Sequence, residues 1–456
     1  MNRLSGEHPL HVKTEGLLRR LVRRDAAAAL KKVFARSRPE DIAAAMEHLT
    51  WAEQRRLYRV IDDQDFAADV VSFLSDVSAR EVTREMTEEQ VRGIVERMDP
   101  EHATDLVALL PGELQDKVLQ EMEDGAEDVR QLLSWPADTA GGLMSPQVFR
   151  MPDTGTCGQA IALLQQEHEQ LATVHYVYVL NGRDQLVGVT SLRSLLTSSP
   201  GTPLTKIMTR EVITVGPRQD QEEVARFVAR YDLLAVPVVD AGRRLLGIVT
   251  VDDVVDVVHA ELVEDMLLMA GVSGEPPAQG SVVAQGRRRA GWLTATIVGG
   301  VLASEAIGMF DDTLRQFAML AGFIPVVMGM GGNVGIQSAT VAVRSLATGD
   351  LHIRGAWSFV WREARIGVVL GIGFSTVLGI YGWARYPEEP MIGASVAAST
   401  MLAIVLATVT GALVPIGFQR GGADPAIATG PFVTTLVDLL AIMVYLNIAR
   451  MLLGMG

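Results

Sequence analysis

Residues 430–451 read GPFVTTLVDLLAIMVYLNIARM, and between Pro431 and Asn447 the only charged residue is Asp438. A bilayer needs about 20 mainly apolar residues to cross, and this run is long enough. A carboxylate at the middle of such a helix costs roughly 2.5–3.5 kcal/mol on insertion scales. A residue that expensive faces a watery cavity or bonds to a neighbouring helix. Thr434 lies four residues before it and Tyr445 seven after, so the three are predicted to form one polar stripe. The stripe suits a cation path.

Working back from this run, four more apolar segments stand near 290–310, 314–343, 356–384 and 391–418. Together they make residues 287–456 a transmembrane domain of five helices with short connections. Arg287, Arg288 and Arg289 precede the first span. Arg344, Arg354, Arg362 and Arg365 flank the loop after the second, and Arg420 lies between the fourth and fifth. The opposite loops carry Asp311, Asp312 and the string YPEEP. Positive residues stay inside, so the N-terminus is expected in the cytosol and the C-terminus outside a cell membrane. Small residues at four-residue spacing (Gly300/Ser304, Gly367/Gly371, Ala403/Ala407/Gly411) allow helices to pack closely in lipid. Five helices alone make a thin bundle, so a homodimer is expected.

The rest of the chain is unlike this part. Residues 1–286 carry 45 acids against 29 Lys and Arg, a net −16, whereas the remainder carries 9 against 11, which together give the net charge of −14. Such an acidic body repels nucleic acid and attracts cations. Cys157 is the single cysteine, so no intrachain disulfide and no thiolate cluster is possible. The N-terminus is charged from Arg3 onward and lacks the apolar stretch of a signal peptide.

Residues 1–138 read as short amphipathic helices, with apolar residues recurring at three and four. RPEDIAAAMEHL and DPEHATDLVALLP form a loose repeat, each with proline and acids at a helix start. The repeat points to a superhelical all-α stack, with an ordinary helical bundle as the other solution. Residues 139–202 and 203–255 are two versions of one β-α-β-β-α pattern. HYVYVLNGRDQLVGVTSLRSLL in the first answers LAVPVVDAGRRLLGIVTVDDVV in the second, each after a methionine-containing turn and a helix. This α/β duplication resembles a tandem pair of cystathionine-β-synthase (CBS) modules. Residues 251–270 continue as one helix up to Gly271, and a linker rich in Gly, Pro, Ser and Gln follows.

The second span contains PVVMGMGGNVGIQSAT, soft and polar for a membrane helix. Close packing explains its glycines. Alternatively, its backbones and amides, Asn333 among them, line a pore. No strand precedes the glycines, so a dinucleotide loop does not fit. None of the 8 histidines lies in an apolar span, and no thiolate is near. Oxygen ligands remain, and these suit hard cations. Magnesium gives up its water reluctantly, so a sparse pair of carboxylates around a hydrated ion fits it; calcium and sodium suit the same oxygens.

The strings PVVMGMGGNVGIQSAT and ADPA…GPFVTTLVD, the CBS pair and the acidic helical N-domain together resemble the MgtE family of magnesium channels and transporters. The resemblance covers nearly the whole chain. It implies a homodimer with the pore on its two-fold axis and Asp438 holding hydrated Mg²⁺, completed by oxygens around Gly430 and Thr434. Some family members place an amide side chain near Gly430, so this position departs from them. The resemblance makes residues 256–286 a plug helix and linker, with Mg²⁺ joining Glu261, Glu264, Asp265 and Asp424. Further ions would bridge the N-domain, with Glu101 and Asp105 as its ligands, to Asp232, Glu222, Asp253 and Asp256. High cytosolic Mg²⁺ would thus shut the channel. Thr250-x-x-Asp253 after Gly247 matches ribose-binding CBS modules and implies ATP or another adenine nucleotide. A helix N-cap also explains that string, and Ser191-x-x-Ser194 in the first copy lacks the acid.

Three other readings compete. A CBS-regulated membrane protease needs a string such as HExxH, which is absent. A non-conducting membrane-anchored sensor has no use for Asp438. A transporter of Co²⁺ or Mn²⁺, or an exporter, keeps the architecture and changes the cargo.

Overall fold

A computed structural model describes residues 9–122, 124–166, 174–272, 282–348, 351 and 355–454. Arg354 and linker residues 273–281 lie outside the described residues. The chain divides into two compact units, 1–259 and 260–456.

The first unit begins with ten helices: α1 (Pro9–Arg23), α2 (Ala27–Phe34), α3 (Pro39–Glu47), α4 (Trp51–Tyr58), α5 (Gln64–Ser72), α6 (Asp76–Thr83), α7 (Glu88–Val95), α8 (Pro100–Ala108), α9 (Gly112–Glu121) and α10 (Ala126–Leu133). Their starts are written in the sequence. Pro39 and Pro100 occupy first-turn positions where a missing N–H costs nothing. Thr50 with Glu53, and Thr87 with Gln90, form reciprocal capping boxes. The two repeated strings become α3 and α8. Helices pack on their second neighbours, α1 on α3, α3 on α5, α5 on α7, α7 on α9, and α4 on α6, which is the contact pattern of a superhelical stack. Ile42, Met46, Leu57, Val70, Val91 and Val107 fill its core.

The CBS pair follows. Strands β1 (Arg150–Pro152), β2 (Tyr176–Leu180) and β3 (Leu186–Ser191) form one sheet, β1 parallel and β3 antiparallel to β2. In the second copy β4 (Ala235–Val239) pairs antiparallel with β5 (Leu245–Thr250), and the first strand is reduced to a parallel bridge between Val215 and Val238. The two hairpins turn by the same device. Asn181 Oδ1 accepts from the N–H groups of Arg183 and Gln185, and Asp240 Oδ1 accepts from those of Gly242 and Arg244. Asp184 and Arg243 then take left-handed backbone at φ 58° and 61°.

The methionine turns show why the modules form a pair. Met144, from the start of the first copy, packs on Gly247 of the second, where a methyl group would meet Ser145 O at 2.6 Å. Met208, from the start of the second copy, packs on Gly188 of the first. Met144 belongs to the core of Val236, Val238 and Val249, and Met208 packs on that of Phe149 and Val177. Each module is thus completed by a segment from the start of the other.

The second unit holds five helices long and apolar enough to cross a membrane: Arg289–Gly308, Ala318–Ala347, Ala356–Arg385, Pro390–Arg420 and Pro431–Leu452. The first extends back to Val282, into the stretch expected to be linker. The second is broken at its start. A short helix Asp311–Gln316 and a 3₁₀ turn Ala318–Phe323 precede the continuous helix Ile324–Ala347, which begins where Pro325 fits a first turn. The fourth helix is central and packs on the second, third and fifth, while the first packs on the fifth. Gly367 and Gly371 face Thr408 and Met401 of the fourth helix, and Ala403, Ala407 and Gly411 are buried, as the small-residue spacing predicts. Gly300 and Ser304 differ: both are exposed, and neighbouring Gly299 packs on Thr435 instead. One residue turns a helix face by about 100°, and spacing alone does not say which face is used. The third helix exposes Trp357 and Trp361 at one end and Tyr381 and Trp383 at the other. From Trp361 to Tyr381 is about 30 Å of helix, the thickness of a hydrocarbon core edged by aromatic residues.

Candidate functional site

Asp438 is half-buried on the fifth span. Among the described residues its carboxylate accepts no hydrogen bond and joins no ion pair. Its neighbours in the seam with the second span are apolar or bare backbone. Val437 packs on Gly331 and Gly335, and Gly332 stands opposite the carboxylate itself. Thr434, one turn before, is also half-buried, and its hydroxyl donates within its own helix, to Pro431 O at 3.1 Å or Gly430 O at 3.3 Å. Gly430 caps the helix start, and its carbonyl accepts from Thr434 N at 3.3 Å.

Tyr445 does not continue this stripe. It is fully buried and its hydroxyl donates to Leu320 O at 2.8 Å, pinning the 3₁₀ turn to the fifth span. The expected three-residue polar stripe therefore ends at Asp438. The helical wheel places Tyr445 on nearly the same bearing, but the incoming 3₁₀ turn covers it. The second span supplies polar groups in its place. Asn333, Gln337, Thr340 and Arg344 are exposed at spacings of four, three and four, one face of the helix. An exposed amide stripe in a membrane helix calls for water or a second polypeptide, since lipid satisfies neither donors nor acceptors.

Sequence reasoning passed over a second intramembrane carboxylate. Glu363 on the third span is 4% exposed. Its Oε2 lies 2.9 Å from Ser338 Oγ, and its Oε1 lies 3.7 Å from an Arg362 guanidinium nitrogen. Glu363 is dry and partnered, whereas Asp438 is reachable and unpartnered.

At the start of the fifth span, Asp424 is exposed and its Oδ1 accepts from Ala426 N at 2.7 Å, capping the turn before the helix. The helix Val251–Met269 ends here: Leu268 is buried with Val343 and Ala426. A methyl group on Gly430 would lie 2.8 Å from Met269 O, and one on Gly271 (φ 73°) would lie 3.2 Å from Pro431 Cγ. The two glycines let backbone seat on backbone. Along this helix Glu261 and Asp265 are half-buried, and Glu264 is exposed.

In the first unit Asp253 acts on both Glu101 and Asp105. Burial raises the Glu101 carboxyl, with Asp99 and Asp253 adding to it, and Glu101 Oε2 is buried with no hydrogen-bond partner. Asp105 is pushed up to about 6, first by desolvation and then by Asp76 and Asp253, while its outer edge stays open to solvent. Asp253 is raised by desolvation, against two hydrogen bonds from Thr250. His102 opposes all three shifts. Asp253 Oδ2 accepts from Thr250 N at 3.0 Å and from Thr250 Oγ1 at 2.5 Å, an N-cap arrangement that presents both side chains together. Gly247, read beside this pair, is explained by its packing on Ser145. Glu222 pairs with Arg226 of its own helix at 3.6 Å, Asp232 ends that helix in left-handed backbone, and Asp256 is exposed. Among the described residues no three His, Cys, Asp or Glu side chains converge closely enough to hold a metal, so the acids predicted to share ions are not preassembled.

Comparison with known proteins fits this layout. A family model described as a divalent cation transporter matches residues 324–448, one for the MgtE intracellular N domain matches 37–138, and one for a CBS domain matches 204–260. The chain is similar to the magnesium transporter MgtE of Thermus thermophilus, 32% identical over 432 residues covering 93% of this chain and 95% of that one. It is also 32% identical to the magnesium transporter MgtE of Bacillus subtilis, over 92% of this chain and 93% of that one. A crystal structure of the cytosolic domain of the Mg²⁺ channel MgtE in complex with ATP is 31% identical, covers 53% of this chain and 98% of that one, and superposes with a TM-score of 0.49. With matches of this identity along nearly its whole length, the chain belongs to the MgtE family of magnesium transporters.

Proposed function

We propose that this protein takes Mg²⁺ into the cytosol through a path that Asp438 lines, and that cytosolic Mg²⁺ shuts it. One observation carries the reading: Asp438 is a half-buried carboxylate in the middle of an apolar span with no partner among the described residues. A charge so placed is retained at a cost of about 2.5–3.5 kcal/mol unless it serves an ion. Two copies related by a two-fold axis would present two such carboxylates, with Thr434, the Gly430 backbone and Asn333 as further oxygens. The exposed stripe of the second span is the face that a second copy or a water column would cover. Mg²⁺ keeps most of its water, so a sparse ring that contacts the hydrated ion suits it. The arginine-rich loops support a cytosolic N-terminus and a C-terminus outside.

Closure is the second half of the proposal. The helix Val251–Met269 seats its end at the start of the fifth span, and its acids Glu261, Glu264 and Asp265, with Asp424, are the candidate ligands there. In the first unit Asp253 repels Glu101 and Asp105 in partly desolvated positions, and the orphaned Glu101 oxygen fits a site that a divalent cation completes. Asp232, Glu222 and Asp256 are the remaining candidates. Because these acids are not preassembled, bound Mg²⁺ favours whichever state draws them together, which is how a ligand shifts a two-state equilibrium. Thr250 and Asp253 are the candidate ribose contacts for an adenine nucleotide such as ATP.

The test is Mg²⁺ uptake into proteoliposomes and into a Mg²⁺-transport-deficient cell. Asp438→Ala is expected to lower uptake at least about 100-fold, in line with loss of the carboxylate that lines the path. Uptake of Co²⁺ or Mn²⁺ in preference to Mg²⁺ would reassign the cargo, and full uptake by the variant would remove the pore assignment.

A further inference from the structure

Several glycines line the seam between the second and fifth spans, and nearly all of them meet hydrocarbon or backbone. A methyl group on Gly331 would lie 3.3 Å from Val437 Cγ1 and 3.4 Å from Ala441 Cβ; one on Gly335 would lie 3.0 Å from Val437 Cγ2. Gly411 backs onto Gly335 of the same seam. These are the close backbone contacts that hold membrane helices together. Gly332 differs. It is buried, and the one atom that a methyl group there would crowd is Asp438 Oδ1, at 3.2 Å. No other glycine described in the membrane helices faces a carboxylate.

We propose that Gly332 is a positioning residue for Asp438, and that the missing side chain at 332 sets which cation the carboxylate selects. The inference rests on the reading of Asp438 as the pore carboxylate and adds what fixes its place. Two observations make Gly332 a neighbour that limits the carboxylate. No hydrogen bond or ion pair among the described residues holds Asp438, so its rotamer is set by the walls around it. At 3.2 Å a methyl group would force the carboxylate to give by a few tenths of an ångström toward the path. A hydrated Mg²⁺ ion demands near-ideal octahedral geometry and yields its water slowly, whereas Ca²⁺ accepts six to eight oxygens in flexible arrangements. A carboxylate pushed into the path should therefore cost Mg²⁺ more than Ca²⁺.

The experiment compares Mg²⁺ and Ca²⁺ uptake into proteoliposomes by the full chain and its variants. Gly332→Ala is expected to lower the Mg²⁺:Ca²⁺ uptake ratio by about fivefold or more, mainly through the Mg²⁺ rate. Gly331→Ala loads the same seam at hydrocarbon contacts and is expected to change both ions in proportion, leaving the ratio within about twofold. A ratio in Gly332→Ala no different from that in Gly331→Ala overturns the proposal. Should Gly332→Ala fail to fold, Asp438→Glu moves the carboxylate by one methylene and leaves every glycine of the seam in place, and it must shift the ratio in the same direction; an unchanged ratio there overturns the proposal equally. Asp438→Ala with undiminished Mg²⁺ uptake would sink the pore reading itself. An inactive Asp438→Ala beside an unshifted Gly332→Ala would sink the positioning role alone.

Discussion

Ser338 Oγ on the second span lies 2.9 Å from Glu363 Oε2 on the third and 2.8 Å from Thr408 O on the fourth. One hydroxyl proton is shared between two acceptors, and all three groups are buried at the centre of the membrane unit. The arrangement is a tie between three helices rather than part of an ion path, because all three residues are buried. Ser338→Ala removes the hydroxyl that bonds the Thr408 carbonyl across helices and is expected to cost about 1–3 kcal/mol. Thermal unfolding in detergent should show the loss, with the Mg²⁺:Ca²⁺ uptake ratio unchanged. A changed ratio would place Glu363 in the conduction machinery.

Tyr445 and Leu320 make a second tie, with the phenol donating to the carbonyl at 2.8 Å in a fully buried contact. Tyr445→Phe keeps the ring and leaves that carbonyl without its donor, for an expected loss of about 1–3 kcal/mol in unfolding. Since the hydroxyl faces the 3₁₀ turn and not the stripe of Thr434 and Asp438, apparent affinity for Mg²⁺ should stay as in the wild type. A weakened affinity would restore Tyr445 to the path.

What could be read from the chain beforehand was what is local. Hydropathy marks the five spans, proline and Thr/Glu pairs mark the short helices, and the Asn181 and Asp240 turns mark the duplicated hairpins. The exchange of Met144 and Met208 between modules was not legible, because each contact joins residues of different copies that no short-range pattern links. Glu363 was overlooked because it stands beside Arg362 and Arg365 near a helix end and resembles an interfacial residue. Its burial depends on Ser338, a contact across helices. Asp438 was legible as an anomaly, but its freedom from partners was not. The choice between Gly299 and Gly300 as the packing face depends on rotation about a helix axis, which spacing leaves open.

The raised carboxyls of the first unit carry a pH dependence with a defined sign. Asp105 moves from 3.8 to about 6, and Glu101 and Asp253 move in the same direction, burial leading in each. A folded value above the unfolded one means the folded state holds its protons more tightly. This contribution to stability is full below about pH 4 and is lost as pH rises through about 6. Without divalent cations, unfolding of the cytosolic unit in the full protein should thus come at a lower temperature near pH 8 than near pH 5. Added Mg²⁺ replaces the lost protons, so its stabilising shift should be large near pH 8 and small near pH 5. Glu101→Gln should weaken both effects. A Mg²⁺ shift of equal size at both pH values would separate these acids from cation sensing.

Gly430 offers a test of closure that leaves every acid in place. Its Cα faces the carbonyl of Met269, and a methyl group there would lie 2.8 Å from that oxygen. Gly271, in left-handed backbone at φ 73°, takes the reciprocal position against Pro431. A contact under 3 Å with a backbone atom has no flexible end to move, so the helix end must shift as a body. Gly430→Ala should therefore weaken the seating of helix Val251–Met269 and not its acids. The internal Mg²⁺ needed for half-closure should rise by roughly tenfold, the effect of about 1.4 kcal/mol on a two-state equilibrium. Asp424→Asn removes a candidate ligand and should raise the same midpoint by weakening cation binding. If the two act through one seating step, the double variant should fall short of the sum of the singles. An unshifted midpoint in Gly430→Ala would show that the gate closes elsewhere than at the start of the fifth span.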